Sequence, residues 1–106
     1  MKMVIAIVQK KDSNHLQSAL IEAGFRSTRL ASVGGFLSEG NVTFLIGVVD
    51  PQIPMVMEII REHAQSRDQF VSSPAATDLG RSTMPVNVQV GGATVFVLPV
   101  EQFEQF

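Results

Sequence analysis

The chain has 106 residues, of which 45% are hydrophobic and 17% charged, so it can form one folded domain with a core but is too short for most large enzyme scaffolds. Its formal charge of -2 argues against binding to duplex nucleic acid or an anionic membrane. The absence of cysteine excludes a disulfide framework, a thiolate nucleophile and a zinc finger. We expect one domain over residues 1–106, with no metal and no cofactor.

The N-terminal segment has the pattern of a buried strand. Residues Met3 to Val8 are continuously apolar and rich in β-branched side chains, which is typical of a strand covered on both faces. The run is too short for a signal-peptide core, and no stretch approaches the roughly 18 to 20 apolar residues that span a bilayer. We therefore expect a cytoplasmic protein.

A helix and a second strand should follow. Asp12 and Ser13 offer an N-cap, and Gly24 is a suitable C-terminal cap. Between them an apolar stripe recurs at helical spacing. The residues from Phe25 to Ser32 contain enough β-branched and aromatic side chains to favour a strand. The apolar stripe of the predicted helix consists of Leu16, Ala19, Leu20 and Ala23.

The middle of the chain predicts a loop, a strand and a second helix. Residues Gly34 to Asn41 are a loop rich in glycine, and Val42 to Val49 are again mostly apolar. Asp50-Pro51 is a strong helix start, with aspartate as the N-cap and proline at the first helical position. The apolar stripe of this helix consists of Ile53, Val56, Met57, Ile60 and Ala64.

The last third predicts a long connection and a hairpin. Gln65 to Met84 is polar without a sustained period. Val86 to Val90 then alternates, Gly91-Gly92 supplies positive φ for a two-residue turn, and Ala93 to Val100 is a mostly apolar strand. The tail from Glu101 to Phe106 carries two phenylalanines and should dock on the domain.

This order of elements predicts an α+β fold, a ferredoxin-like βαββαβ sandwich with an extra C-terminal β-hairpin strand. Only two helices are available, and they can cover one face of the sheet. Since the strands are apolar on both faces, a second copy of the chain is the simplest cover for the other face. We therefore expect a homo-oligomer.

No constellation in the sequence supports catalysis. The acidic residues lie at caps, on polar helix faces or in loops, without the spacing of an acid/base dyad. His15 and His63 fall near helix ends and are expected on the surface. The motifs of nucleophile elbows, P-loops and dinucleotide-binding turns are missing.

The segment from Arg26 to Gly47 is the most informative for binding. An arginine can bind a phosphate, glycine-flanked N–H groups can hold an anion, an aromatic ring can stack on a base, and an asparagine can read a base edge. Such groups are present and predict a nucleotide pocket. The alternative is that the glycines only form a turn, the apolar residues contact a neighbouring subunit, and the arginine is solvated. The groups concerned are Arg26, Thr28, Gly34, Gly35, Phe36, Leu37 and Asn41.

Gly47 interrupts a β-branched strand, which indicates either close approach of a ligand or a bulge.

At these residues the sequence resembles the PII-like cyclic-di-AMP receptor proteins, which are small trimeric signal transducers. The resemblance covers nearly the whole chain, and its glycine loop and C-terminal run are much longer than a lone motif. It rests on Lys2-Met3 with Ala6-Ile7-Val8-Gln9, Asp12-Ser13, Phe25-Arg26-x-Thr28, Gly34-Gly35-Phe36-Leu37-x-x-Gly40-Asn41-x-Thr43-Phe44, Val90 to Val100, and Gln105-Phe106.

The resemblance implies a PII-like domain that binds cyclic-di-AMP in each cleft between adjacent subunits of a homotrimer and catalyses nothing. It also implies a short T-loop over Val33 to Asn41 and a long B-loop over Gln65 to Pro85, both of which move on binding, and a downstream protein partner that it does not identify. The implied ligand-binding residues are Arg26, Thr28, Gly35, Phe36, Leu37, Asn41, Gly47, Phe96 and Gln105.

The two phosphates and two purines of the ligand suggest a role for most of these residues. Arg26 and the Gly35 region could bind the phosphates, and Phe36, Leu37 and Phe96 could contact the purine rings. Thr28, Asn41 and Gln105 could hydrogen bond to the base edges.

The sequence departs from the family pattern in two places. Gly24 stands where the family often has asparagine, and the B-loop is shorter and lacks the usual Gly-Gly-Asn-Ala-Asp-Ser stretch. The resemblance therefore does not predict the affinity of this chain for the ligand, its selectivity or its partner. Two other functions remain as alternatives: a PII-like sensor of another adenine nucleotide such as ATP, which would need a larger basic cluster than Arg26 and Arg29, and a small enzyme with its site at a subunit interface.

Overall fold

The structure is a computed structural model that describes residues 1–31, 40–72 and 85–106. The described residues form six strands and two α-helices, with a short 3-10 turn, Asp50–Gln52, before the second helix. The elements are β1 (Lys2–Gln9), α1 (Lys10–Glu22), β2 (Ser27–Ala31), β3 (Asn41–Val48), α2 (Ile53–Ala64), β4 (Arg67–Ser72), β5 (Pro85–Val90) and β6 (Ala93–Pro99).

Four of the strands form one antiparallel sheet in the order β2-β3-β1-β6. The long apolar strand β1 pairs with β3 on one side and with β6 on the other. Strands β4 and β5 pair only with each other among the described strands, and we call this separate antiparallel ribbon the hairpin arm. Neither helix in these ranges has the length and hydropathy that crossing a bilayer requires.

Both helices cover the same face of the sheet. Leu16 and Leu20 of α1 and Val56 and Ile60 of α2 are buried in a single apolar cluster. Burying one such side chain contributes about 1.5–3 kcal/mol relative to leaving it exposed. The sheet contributes Val4, Ala6, Val8, Val42, Phe44, Ile46 and Val48. The predicted α+β class is therefore confirmed as a four-stranded antiparallel sheet with two helices, an arrangement consistent with a small ferredoxin-like fold.

The opposite face of the sheet, which we call the open face, is apolar but not covered by the helices. Ile5 is only half-buried, whereas its neighbours Val4 and Ala6 on the helix side are fully buried. Large apolar side chains continue across this face onto the edge strands. The strand registers place Leu30, Leu45, Met3, Ile5, Ile7, Phe96 and Leu98 there.

The predicted C-terminal hairpin around Gly91-Gly92 is wrong. Both glycines do have positive φ, +82° and +113°, but they connect strands of different sheets. The Gly92 N–H donates to the Ala64 carbonyl at 2.6 Å, and the Gly91 N–H donates to Gln9 Oε1 at 2.9 Å. The glycines therefore attach the hairpin arm to the end of α2 and the end of β1 instead of closing a turn.

The partner that β5 uses instead comes from the segment predicted to lack regular structure. Arg67–Ser72 forms β4 and pairs with β5 in register from Arg67 opposite Val90 to Ser72 opposite Pro85. The segment predicted as a long B-loop therefore begins with a strand. Residues 73–84, and residues 32–39 of the predicted T-loop, lie outside the described part of the chain.

Both helices begin at residues other than the predicted caps. Helix α1 starts at Lys10, so Asp12 and Ser13 lie within its first turn, where both are buried. Asp50 belongs to the 3-10 turn, and the Val49 N–H there donates to Gln52 Oε1 at 3.0 Å. The end of α1 is as predicted, because Gly24 follows it with φ +87°.

Candidate functional site

A cleft of about 880 Å³ lies at one end of the sheet. This volume falls within the range of about 300–1,000 Å³ that is usual for ligand sites. The antiparallel register brings the beginning of β1, the end of β3 and the chain after β6 to this end, because Met3 lies opposite both Gly47 and Leu98. The residues just before β2 and the last turns of α1 complete the walls.

Arg26 and Thr28, two of the residues that the sequence predicts as ligand-binding, both line the cleft. Alternate residues of an extended chain point to the same side, so Arg26 and Thr28 share a side that Arg29 does not. Arg29 instead donates to Asn14 Oδ1, Gln17 Oε1 and Ser13 Oγ at 2.8–2.9 Å. Its guanidinium also lies 5.9 Å from the centre of the Phe44 ring.

Gly47 and Gln105 reach the same cleft from two other parts of the chain. A Cβ added at Gly47 would lie 3.1 Å from the terminal methyl of Met1, so the absence of a side chain keeps this wall open. The alternative of a β-bulge at Gly47 is excluded, because the pairing of β1 with β3 is continuous from Lys2 to Gln9. Gln105 is brought here by the C-terminal tail.

Two other predicted site residues that the structure describes, Asn41 and Phe96, do not line this cleft. Asn41 lies opposite Gln9 at the far end of β3, and the six-residue separation from Gly47 corresponds to about 20 Å of strand. Phe96 lies opposite Ile5 on the open face, where it is exposed. Gly35, Phe36 and Leu37 lie outside the described residues.

The cleft also contains residues that the sequence reasoning did not select. Met1, Met3 and Phe25 provide apolar surface, and Phe103 of the C-terminal tail also lines the cleft. The prediction that the tail docks was the only signal for Phe103, and it did not specify which phenylalanine would be involved. Gly24 also lines the cleft, at the position where the family often has asparagine.

The cleft is suited to binding an anion that carries flat apolar groups. Arg26 is the only charged side chain among its described lining residues, which include no carboxylate and no imidazole. A guanidinium without a carboxylate partner can bind a phosphate through two hydrogen bonds. Across the ranges that the structure covers, no three potential metal ligands of the His, Cys, Asp or Glu type come together.

The opposite end of the sheet holds the base of the hairpin arm. Arg67 Nη2 donates to Asp12 Oδ1 at 2.9 Å, and Asp12 is only 5% exposed. The hydrogen bond to the Asp12 carboxylate raises the pKa of the Arg67 guanidinium. The Lys10 N–H donates to the Gly40 carbonyl at 2.7 Å. The start of α1 therefore contacts both the hairpin arm and the residue that follows segment 32–39.

A second, smaller cavity of about 340 Å³ lies between α2 and the start of β6. Met57 and Ile60 of α2 form part of its wall, and none of the sequence-predicted site residues that the structure describes lines it.

The whole chain matches a known protein family. The family model described as "Cyclic-di-AMP receptor" matches residues 1–106, which is the whole chain. The chain belongs to the cyclic-di-AMP receptor family. The resemblance identified from the sequence is thereby confirmed at the level of the family.

A solved structure of similar sequence agrees with the fold. The crystal structure of a protein from Pediococcus pentosaceus, described as functionally unknown, is 48% identical to this chain and matches it with a TM-score of 0.81. The match covers 99% of this chain and 96% of that one. The cyclic-di-AMP receptor fold described here is thus similar to an experimental structure over nearly its full length.

Proposed function

We propose that this protein is a non-enzymatic receptor that binds cyclic-di-AMP in the clefts between subunits of a homotrimer. The observation that carries the proposal is the convergence of Arg26, Thr28, Gly47 and Gln105 on one cleft. These residues come from separate parts of a chain that belongs to the cyclic-di-AMP receptor family. Ligand binding then rearranges the two loops, and the altered surface engages or releases a partner protein.

The chemistry of the cleft supports this ligand. Cyclic-di-AMP offers phosphates to the guanidinium of Arg26, base edges to the hydroxyl of Thr28 and the amide of Gln105, and purine faces to the apolar wall. A linear triphosphate such as ATP carries more charge, and the described lining residues provide no second charged side chain to balance it. Cyclic-di-AMP therefore fits better than ATP.

The positions of Asn41 and Phe96 support a site shared between subunits. Neither lines the cleft of its own chain: Asn41 lies about 20 Å from Gly47 along β3, and Phe96 lies on the open face opposite Ile5. A single ligand can contact all of the predicted residues if an adjacent subunit presents its own Asn41 and Phe96 at the cleft. The apolar open face, which includes Phe96, is the surface that would be covered in such an assembly.

Isothermal titration calorimetry with cyclic-di-AMP, cyclic-di-GMP and ATP tests the proposal. We expect saturable binding of cyclic-di-AMP at one ligand per chain and much weaker binding of the other two. Tighter binding of ATP than of cyclic-di-AMP would favour the adenine-nucleotide sensor instead. No binding of cyclic-di-AMP would contradict the proposed function.

Substitution of Arg26 locates the site. Arg26→Ala should weaken cyclic-di-AMP binding by roughly 10- to 100-fold, because a hydrogen bond to a charged group contributes about 1.5–3 kcal/mol. Asn41→Ala should also weaken it. The control is Arg61→Ala, which removes an exposed arginine of α2 that does not line the cleft. All three variants should keep the oligomeric mass, and unchanged affinity in both Arg26→Ala and Asn41→Ala would show that the site is elsewhere.

A further inference from the structure

We propose that Phe103 of the C-terminal tail forms the stacking surface for one purine of the bound dinucleotide. The inference rests on the proposed function and adds a residue that the resemblance did not supply. It depends on three observations: the path of the tail, the exposure of the Phe103 ring and the composition of the wall around it.

The tail follows the edge of the cleft after leaving the sheet. The Val100 N–H donates to the Met1 carbonyl at 3.1 Å, which continues the pairing of β1 with β6 by one step. Beyond Val100, Phe103 and Gln105 line the cleft. The alternating residues Gln102 and Glu104 do not, and they hydrogen bond to each other at 3.0 Å. The tail therefore presents the side that carries Phe103 and Gln105 to the ligand space.

Phe103 is exposed although it lies against a concave surface. It is 62% exposed, whereas Phe25 in the same cleft is 7% exposed and belongs to the core. Phe106, three residues further along, is fully exposed and does not line the cleft. One ring of the tail is thus placed at the site with a free face, and the other is not.

The surroundings of Phe103 match one half of a cyclic dinucleotide. Gln105 on the same side of the tail offers an amide to a base edge, and Arg26 lies in the same cleft for the adjacent phosphate. Met1 and Met3 are unbranched and can adapt to the edge of a purine. Base–aromatic stacking of this kind changes affinity by roughly 5- to 150-fold on removal of the ring.

The test uses a fluorescent ring in place of phenylalanine. The chain has no tryptophan and no tyrosine, so Phe103→Trp introduces a single reporter. We expect cyclic-di-AMP to quench its emission with an affinity close to that of the unaltered protein, because indole stacks on adenine at least as well as a phenyl ring. The matched control is Phe106→Trp, whose emission should not change with the ligand.

Calorimetry on Phe103→Ala gives the second measurement. We expect its affinity for cyclic-di-AMP to fall by about 10-fold or more, with the oligomeric mass unchanged, and Phe106→Ala to bind like the unaltered protein. Unchanged affinity of Phe103→Ala overturns the inference but leaves the proposed function standing. Loss of the oligomer in Phe103→Ala overturns it too, since the ring would then serve assembly. No binding by the unaltered protein removes the proposed function and the inference together.

Discussion

Arg26 and Arg29 are close along the chain but have different surroundings. They are three positions apart, so on an extended chain they point to opposite sides. The sequence placed both near a candidate site, but only the structure shows that helix α1 provides three neutral acceptors for Arg29. Arg26 lines the cleft and has no such partner among the described side chains. Which of the two arginines can bind a ligand therefore depends on the elements that pack on each side of β2.

Gly24 offers a test of the family pattern at one position. No atom lies within 4 Å of a Cβ built there, and asparagine tolerates the positive φ of +87° better than most residues. Gly24→Asn should raise affinity for cyclic-di-AMP by roughly 2- to 10-fold, because a new hydrogen bond contributes about 0.5–1.5 kcal/mol. Titration calorimetry measures the change.

The control for this variant is Gly24→Ala, which imposes the backbone strain without adding a polar group. Gly24→Ala should lose about 1 kcal/mol of stability in thermal or urea unfolding, and Gly24→Asn should lose less. An equal rise in affinity for both would mean that the amide is not the cause.

At the scale of elements, amphipathic segments were predicted well and polar ones were not. The helices α1 and α2 and the strands β1 and β3 have apolar residues at spacings that their burial in one core requires. Strand β4 begins Arg67-Asp68-Gln69, and its sequence does not alternate apolar with polar residues. Because strand β4 was not predicted from the sequence, β6 was the only candidate partner for β5, and the hairpin was therefore predicted wrongly.

The ion pair at the base of the hairpin arm should be asymmetric in its effect on stability. Arg67→Leu leaves the buried Asp12 carboxylate without its partner, and Asp12 Oδ2 already has no hydrogen-bond partner among the described residues. We expect a loss of about 1–3 kcal/mol in the free energy of unfolding. Asp12→Asn should cost about 1 kcal/mol or less, because an amide oxygen can still accept from Arg67 and the guanidinium is half-exposed.

Urea unfolding measures both losses, and hydrogen exchange of the β5 amides shows whether the hairpin arm is released. Arg61→Leu is the control, since it breaks an exposed pair with Glu58 and should cost less than about 0.5 kcal/mol. Equal losses for Arg67→Leu and Asp12→Asn would contradict the asymmetry.

At the scale of the whole molecule, the open face should hold the subunits together. Leu98 is 46% exposed on this face, and a carboxylate there would be buried without a partner in the assembly. Leu98→Glu should therefore reduce the mass measured by light scattering from that of three chains to that of one. Met55→Glu, at an exposed position on α2, should not change the mass. A trimer that persists in Leu98→Glu would place the interface on another surface.

The candidate site could be predicted only in part, because it joins residues that are distant along the chain. Composition and local pattern selected Arg26, Thr28 and, with a bulge as the alternative, Gly47, and the family resemblance added Gln105. Phe103 was missed because an exposed ring on an irregular tail has no periodicity to distinguish it from Phe106. Its position depends on the step from Val100 to Met1, which is a long-range pairing.

The glycine at position 91 has a consequence for genetics. A Cβ there would lie 2.5 Å from Arg67 Nη1 and 2.6 Å from the Gln65 carbonyl oxygen, and φ is +82°. Any missense change at this codon therefore disturbs the attachment of the hairpin arm, while the apolar core and the cleft at the other end of the sheet are untouched. Under the proposed function, position 91 is where a separation-of-function allele should arise, in which cyclic-di-AMP binding survives and the hairpin arm alone is disturbed.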